Sequence, residues 1–408
     1  MRTLHSCRFC SAPLSEVFAD LGMSPLSNAF VPAERAHEME CFFPLTAYVC
    51  TKCFLVQVPE FEAPDRIFSE TYAYFSSFSD TWLAHVKRYV DEMIDRYEIG
   101  SSSQVVEIAS NDGYLLQYFV ARGVPVLGIE PAANCARAAE ERGVRTLTVF
   151  FNSQTAQSVA ADLLLGNNVL AHVPDLNDFV DGLRIALKPQ GVITMEFPHL
   201  LRLIQENQFD TIYHEHFSYF SFLTVQRIFA EHGLTIHDVE QLPTHGGSLR
   251  IHAQRTETGA QPVSPNVAEL LDVEREAGLD RIETYRCFAE TAQKVKRDLL
   301  RFLIDAKEAG RRVAAYGAPA KGNTLLNYCG IRTDLLPFTV DRSPHKQGTL
   351  LPGTRIPVRA PDALIDAKPD YVLILPWNIK DEITQQMSCV REWGGRFVVS
   401  IPRLQVLD

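Results

Sequence analysis

Val105-Val106-Glu107-Ile108-Ala109-Ser110-Asn111-Asp112-Gly113 is the stretch that decides the fold. A short apolar run ends in a tight turn of small residues, and helical spacing follows over 114–122. A turn of this kind lets backbone amides approach a ligand closely. The same alternation continues downstream, with strands expected at 126–129, 146–149, 162–165 and 192–197 and helices at 132–142 and 177–187. That is the pattern of a doubly wound parallel sheet. Upstream, Trp82, Val86, Tyr89, Val90 and Met93 recur at helical spacing over 80–97. A polar helical connector over 264–309 follows Pro262, and then alternation resumes. Strands are expected at 312–316, 338–340, 371–375 and 396–401, with a helix at 323–329. The fold class expected is therefore α/β, with two doubly wound sheets.

Ahead of both lies a different kind of segment. Cys7-Arg8-Phe9-Cys10 and Cys50-Thr51-Lys52-Cys53 are two C-x-x-C pairs separated by 39 residues. Four thiolates in two such knuckles can surround one zinc ion tetrahedrally, which leaves no open position for chemistry. About 60 residues bury little core, so a metal staple is physically useful there. Strand-like runs on both sides of the second pair read as a small zinc ribbon. Coincidence or a redox C-x-x-C is the bland alternative. Cys41, beside Phe42 and Phe43, reads as packing rather than as a ligand.

Composition limits what the chain can be. Its 408 residues are 46% hydrophobic and 22% charged, which excludes disorder and low-complexity arrays. No apolar run nears the roughly 18 residues of a membrane span. The formal charge is -11 with no basic stripe, so no nucleic-acid partner is expected. An anionic small molecule still fits, because a few cations can be focused in one cleft. The first ten residues lack an apolar core, so no secretion signal is expected. Nine cysteines, an odd number, then suit a reducing, cytoplasmic setting without a disulfide framework.

The strand after the turn ends in Glu130, 17 residues beyond Gly113. An acid there can accept both ribose hydroxyls of an adenosine. The turn lacks the G-x-G-x-x-G of dinucleotide folds. An acid before it, Glu107, suits a cofactor with a cationic amino-acid end, and S-adenosylmethionine carries a sulfonium and an ammonium. Any strand-turn-helix of an α/β protein is the plain alternative.

The segment 209–220 packs His214, His216, Asp210, Glu215 and several aromatic rings into twelve residues. Histidine can take a proton at neutral pH, and a neighbouring carboxylate can orient it. On an extended segment His214 and His216 would share a face with Asp210. A metal site lacks a third ligand at convincing spacing; an aromatic core segment is the other reading. Further candidates are 70–77 with Tyr72, 167–174 with Asn168 and His172, 244–248 with His245, and Glu196 near a strand end. Taken alone, each reads first as an ordinary turn or cap.

Together these motifs resemble the S-adenosylmethionine-dependent sugar C-methyltransferases of deoxysugar biosynthesis, over essentially the whole length. The resemblance rests on the four cysteines, Pro25-Leu26-Ser27, residues 107–113, residues 213–217, His245-Gly246-Gly247, and Tyr316-Gly317-Ala318-Pro319-Ala320-Lys321-Gly322. It implies a zinc-binding domain (1–66), a methyltransferase domain (67–262), and a C-terminal Rossmann-like domain with a helical connector (263–408). The implied substrate is a nucleotide-linked 4-keto-deoxysugar, usually with thymidine diphosphate, methylated at carbon 3. Carbon 5 is the nearest alternative, since it shares every motif. O-methylation and an inert zinc-ribbon binding module are readings of other classes.

By the same resemblance His216 is the base that removes a proton beside the ketone. Glu215 orients it or holds the sugar, Tyr213 and Tyr72 donate to the ketone or enolate oxygen, and His172 lines the pocket. Glu107, Ala109, Asn111, Gly113, Glu130 and Asn168 are expected around the methyl donor. Glu196, His245, Lys321, Asn323 and Lys346 are expected around the nucleotide sugar, with small residues cradling its diphosphate at a helix N-terminus. Strand-helix turns in a decayed duplicate domain are the plain reading of that second loop. Ala109 stands where the family commonly has glycine. No metal is needed for the chemical step, and a monomer is the simplest assembly.

Overall fold

A computed structural model of the chain describes residues 5–62, 75–78 and 80–407. Tyr72 lies outside the described residues. No helix among those described is long and apolar enough to cross a membrane.

The N-terminal segment forms β1 (Glu16–Ser24), β2 (Val31–Pro32), β3 (Phe43–Val49) and β4 (Val56–Gln57). Strands β1, β3 and β4 make an antiparallel sheet whose fourth member comes from far away, β10 (Ser218–Tyr219). Alternation explains the sheet: along β3 Leu45, Ala47 and Val49 point inward while the residues between them are more exposed. On that inner face Phe18 stacks on Phe288 with ring centroids 4.4 Å apart. Phe288 opens the connector helix Phe288–Glu308, so the ribbon shares a core with the C-terminal region. Cutting Phe18 to alanine would cost ~3–5 kcal/mol. Cys41 is exposed, contrary to its expected packing role.

The central sheet has seven strands: β5 (Val105–Ile108), β6 (Val126–Ile129), β7 (Thr146–Leu147), β8 (Ala161–Asn167), β9 (Leu187–Pro198), β11 (Leu234–Leu242) and β12 (Ser248–Arg255). Their order is β11-β12-β9-β8-β5-β6-β7. Pairing is parallel from β7 to β9 and antiparallel through β12 and β11. The winding reverses beside β5, so the loop after β5 and the carboxyl ends of β6 and β8 meet at a switch point, where open α/β sheets bind ligands.

The third sheet comprises β13 (Val313–Tyr316), β14 (Thr339–Val340), β16 (Val358–Arg359), β17 (Tyr371–Ile374), β18 (Arg396–Val399) and β19 (Gln405–Leu407). Its order is β16-β14-β13-β17-β18-β19, parallel except for the last pair. A two-stranded ladder of β15 (Thr349–Leu350) with β2 ties the N-terminal segment to this region. The α/β expectation of a ribbon followed by two doubly wound sheets therefore holds.

A second local expectation also fails. Residues 209–216 are not extended: Phe209–Thr211 is a 3-10 turn, and the Tyr213 carbonyl accepts the His216 N–H in a further turn. His214 and His216 consequently diverge. The His214 ring lies against Phe43 and the Pro44 carbonyl, whereas His216 faces the interior of the site.

Candidate active site

The four cysteine sulfurs lie within 4.8 Å of one another. Cys7 Sγ is 3.5 Å from Cys53 Sγ, and Cys10 Sγ is 3.5 Å from Cys50 Sγ. Zinc–sulfur bonds of ~2.3 Å in a tetrahedron place sulfurs about 3.8 Å apart, so the donor set fits the ion. Outer contacts hold the ligands in turn. Gln57 Nε2 donates to Cys7 Sγ at 3.2 Å, and the Thr224 hydroxyl donates to the Cys53 carbonyl at 3.0 Å. Arg8, inside the first knuckle, donates to the carbonyls of Val58 and Pro174 and sits over the Phe217 ring.

A cavity of about 660 Å³ opens where the three regions meet, within the usual range of ligand pockets. The loop after β5 forms one wall, and three residues of this wall have left-handed backbones: Ala109 at φ 55°, Asn111 at φ 48° and, from the β8 loop, Asn168 at φ 55°. At Ala109 that conformation costs ~1–2 kcal/mol for a residue with a Cβ, which is the physical reason glycine suits the position. Gly113, at φ 75°, lies under the loop, where a Cβ would press on Val144 and Ala139 at 3.1–3.3 Å. The loop is braced from outside: Asn111 Oδ1 accepts the Ser76 N–H at 2.9 Å, and Arg142 pairs with Asp112 at 2.9 Å.

Glu130 accepts the amides of Asn111 at 3.0 Å and Ala132 at 2.8 Å, and burial still pushes its carboxyl up to about 7. Its remaining lone pairs and the unpartnered Asn168 Oδ1 are acceptors for hydroxyl or ammonium donors. Glu107 is wholly buried within β5 and does not reach the cavity; burial holds its carboxyl well above the ordinary range. The cavity wall therefore fits a ligand that brings donors, as S-adenosylmethionine does.

The opposite wall holds the histidines. His216 Nδ1 faces the Thr211 carbonyl at 3.0 Å; a carbonyl only accepts, so Nδ1 carries the proton. Nε2 is then a lone-pair acceptor and takes the Tyr213 hydroxyl at 2.8 Å. Burial, then the nearby His172, hold the His216 pKa well below its ordinary value, so the ring is neutral. His172 donates from Nδ1 to the Glu215 carbonyl at 2.7 Å, with its ring 4.7 Å from that of His216. Burial lowers it to about 4. Glu215 is buried too and raised to about 7; its two oxygens accept from Asn28 Nδ2 at 2.8 and 2.9 Å.

Asn28 comes from the N-terminal segment and was not foreseen. The only sequence signal is its place next to Pro25-Leu26-Ser27. Trp82 was read only as an apolar helical position; it lines the cavity, stacked on His85 and edge-on to His245. In the turn after Thr244, His245 itself has φ 56°, and a Cβ on Gly246 would meet Trp377 at 2.5 Å.

Lys321 and Lys346 also line the cavity. Lys321 opens the helix Ala320–Cys329, donates to Asn378 Oδ1 at 2.8 Å and lies over the Trp377 ring. Lys346 donates to the Ala318 carbonyl at 3.0 Å. Two expected contacts lie elsewhere. Glu196 is buried off the cavity, where Arg250 and His85 approach one oxygen at 3.0 Å and Thr244 donates to the other at 2.8 Å. Asn323 is buried and donates to the Ser27 carbonyl at 2.6 Å, joining the C-terminal helix to the N-terminal segment.

Family models match the chain in three blocks: a "Putative zinc binding domain" over residues 7–68, a "Methyltransferase domain" over 82–239 and a "C-methyltransferase C-terminal domain" over 243–402. The arrangement is thus that of a methyltransferase carrying a cysteine-ligated metal. Among curated proteins, C-methyltransferase NovU of Streptomyces niveus is 35% identical over 413 residues, covering 100% of this chain and 98% of NovU. A ubiquinone biosynthesis O-methyltransferase of Bartonella bacilliformis is 25% identical over 126 residues, 28% of this chain and 51% of that protein. Among solved structures, magnesium protoporphyrin IX methyltransferase from Synechocystis with bound S-adenosylmethionine has a TM-score of 0.35, at 14% identity over 47% of this chain and 88% of that one. An S-adenosylmethionine-dependent methyltransferase from Mesorhizobium loti has a TM-score of 0.34, at 13% identity over 42% of this chain and 100% of that one. The chain belongs to the C-methyltransferase family. It is a methyltransferase that uses S-adenosylmethionine, with a structural zinc site in its N-terminal region.

Proposed function

We propose that the enzyme methylates carbon 3 of a nucleotide-linked 4-keto-deoxysugar, with thymidine diphosphate as the carrier, through an enolate made by His216. One observation carries this reading: the neutral imidazole with its basic Nε2 faces the same cavity as the Ala109–Asn111 loop and Glu130. The working units are the zinc-binding region 1–66, the methyltransferase region 67–262 and the nucleotide-sugar region 263–408.

A carbon next to a ketone becomes nucleophilic when its proton is removed and the oxygen receives a donor. The Tyr213 hydroxyl, now bonded to Nε2, is such a donor. When it turns to the sugar's carbonyl oxygen, the Nε2 lone pair is released toward the adjacent carbon. Nδ1–H stays on the Thr211 carbonyl and fixes the ring plane. The imidazolium that forms is disfavoured by burial, and the enolate beside it supplies the compensating charge. Bound S-adenosylmethionine supplies an electrophilic methyl group. Glu130 and Asn168 would hold its hydroxyl and ammonium donors, and Ala109 and Asn111 present backbone to it. Alignment within the shared cavity contributes much of the rate. Lys321, Lys346 and the N-terminus of helix Ala320–Cys329 face the same space and suit the diphosphate. His245 and Trp82 would bound the sugar.

The test is incubation with methyl-labelled S-adenosylmethionine and a panel of thymidine-diphosphate keto sugars, with NMR of the product. Label on carbon 3 supports the proposal. Label on carbon 5 replaces the position and keeps the chemistry. Turnover of a sugar lacking the ketone overturns the enolate in favour of O-methylation.

A further inference from the structure

We propose that Asp210 is a positioning residue that, through the indole of Trp377, fixes the Lys321 ammonium in the cavity to face the anionic portion of the substrate. The inference rests on the nucleotide-sugar reading for what Lys321 meets, but not for how Lys321 is held.

Asp210 lies in the turn Phe209–Thr211 of the central region and is fully buried. Its Oδ2 accepts the Trp377 indole N–H at 2.7 Å, across the boundary with the C-terminal region. Its Oδ1 is buried with no hydrogen-bond partner. A carboxylate in that state is costly unless a positive charge lies nearby. The charge lies over the face of the ring: Lys321 Nζ is 4.6 Å from the indole centroid. The carboxylate at the edge of the indole and the ammonium over its face thus meet the same ring. An indole that donates its N–H to an anion gains electron density, and its face becomes a better seat for a cation. Asn378 Oδ1, one residue beyond Trp377, takes one ammonium hydrogen at 2.8 Å and sets its direction.

The electrostatics agree. Burial lowers Lys321 to about 8, and Asp210 is the carboxylate that works against this. Burial raises Asp210 to about 6, with Lys321 foremost among the influences that lower it. Among the described residues, the titratable groups that feel the Lys321 charge include His216 and His245, both disfavoured as cations by it. Glu215 and Lys346 line the same cavity. Without Asp210 the buried lysine would shed its proton more readily, and the cation would be lost from the cavity.

Two measurements on the full-length, zinc-loaded protein decide the matter. Competitive labelling with acetic anhydride between pH 6 and 10, read by mass spectrometry on the Lys321 peptide, needs no substrate. The labelling midpoint of wild type is expected near 8. In Asp210→Asn, which keeps an acceptor for the indole, it should fall by about one pH unit or more. Trp377→Phe, which keeps the ring but removes the N–H, should move it the same way. An unchanged midpoint in a folded Asp210→Asn variant overturns the proposal. In the kinetic arm, Asp210→Asn should lower kcat/KM for the keto sugar ~10–100-fold, with S-adenosylmethionine affinity by calorimetry unchanged within about twofold. In a Lys321→Met background the same substitution should change kcat/KM less than about twofold, because coupled residues are not additive. Equal losses in both backgrounds would make Asp210 a mere fastener between regions. If wild type turns over none of the sugars, the substrate reading has failed, and the labelling result still decides the role of Asp210.

Discussion

Removing the Asn28 side chain should make this protein's stability depend on pH in a way that can be worked out beforehand. Glu215 is buried, and its only hydrogen bonds from a side chain among the described residues come from Asn28 Nδ2. Its carboxyl is raised from 4.5 to about 7 by burial, with Asn28 opposing the rise. Between these two values the folded protein keeps a proton that the unfolded chain has released. Stability therefore falls as pH climbs through that window, by about 3 kcal/mol in total. In Asn28→Ala the charged form also loses its donor, worth ~1.5–3 kcal/mol for a hydrogen bond to an ion. The folded pKa then moves up by a further one to two units or so, and the falling limb extends to about pH 9. Urea unfolding followed by tryptophan fluorescence at pH 5.5 and pH 9 measures this. At pH 5.5 Glu215 is protonated in both proteins, and the variant should lag by ~1 kcal/mol. At pH 9 the gap should widen by a further ~1.5–3 kcal/mol. A gap of the same size at both pH values would refute the reasoning, because the charge on Glu215 would then not be what Asn28 holds.

Three further outcomes are expected. His216→Gln should lower kcat by ~10²–10⁴-fold while calorimetric affinity for S-adenosylmethionine stays within about twofold; retained turnover would remove the imidazole from the mechanism. Ala109→Gly relieves a left-handed alanine but adds chain entropy, two effects of ~1 kcal/mol that oppose one another. Thermal stability should therefore barely move, while affinity for S-adenosylmethionine should improve severalfold by calorimetry; weaker binding would show that the methyl group is a useful contact. Cys50→Ser should reduce bound zinc well below one per chain by atomic absorption and lower the melting temperature by several degrees, since a structural zinc contributes folding energy directly. Full zinc content in that variant would count against the four-cysteine site.

Much of this architecture is legible in the sequence because apolar runs and turns say where strands begin and end. The run 105–108 is buried at every position and is followed by a helix, so its reading was unambiguous. The hairpin of β11 and β12 was not seen, and the reason is physical. β12 reads Ser-Leu-Arg-Ile-His-Ala-Gln-Arg, yet Arg250 and His252 are inside, each bonded to Glu240. Buried ion pairs erase the contrast between apolar and polar faces on which strand reading depends. The same network explains Glu196: a carboxylate at a strand end is free to face a ligand only if no arginine comes first, and Arg250 does. The cysteine pairs were legible because metal chemistry fixes their spacing. Asn28 was not, since 187 residues separate it from Glu215 and no local pattern links them.

Strand β10 begins two residues after His216 and pairs with β4, where Gln57 meets Ser218. The side chain of that same glutamine rests on a metal-binding sulfur, and Arg8 between two of the cysteines supports the Phe217 ring. The cysteine cluster and the imidazole are thus mechanically joined, although the four thiolates leave a bound zinc no open position for a reactant. Chelators should accordingly abolish turnover here and give this enzyme the inhibition profile of a metalloenzyme, by slackening the backbone that aims His216.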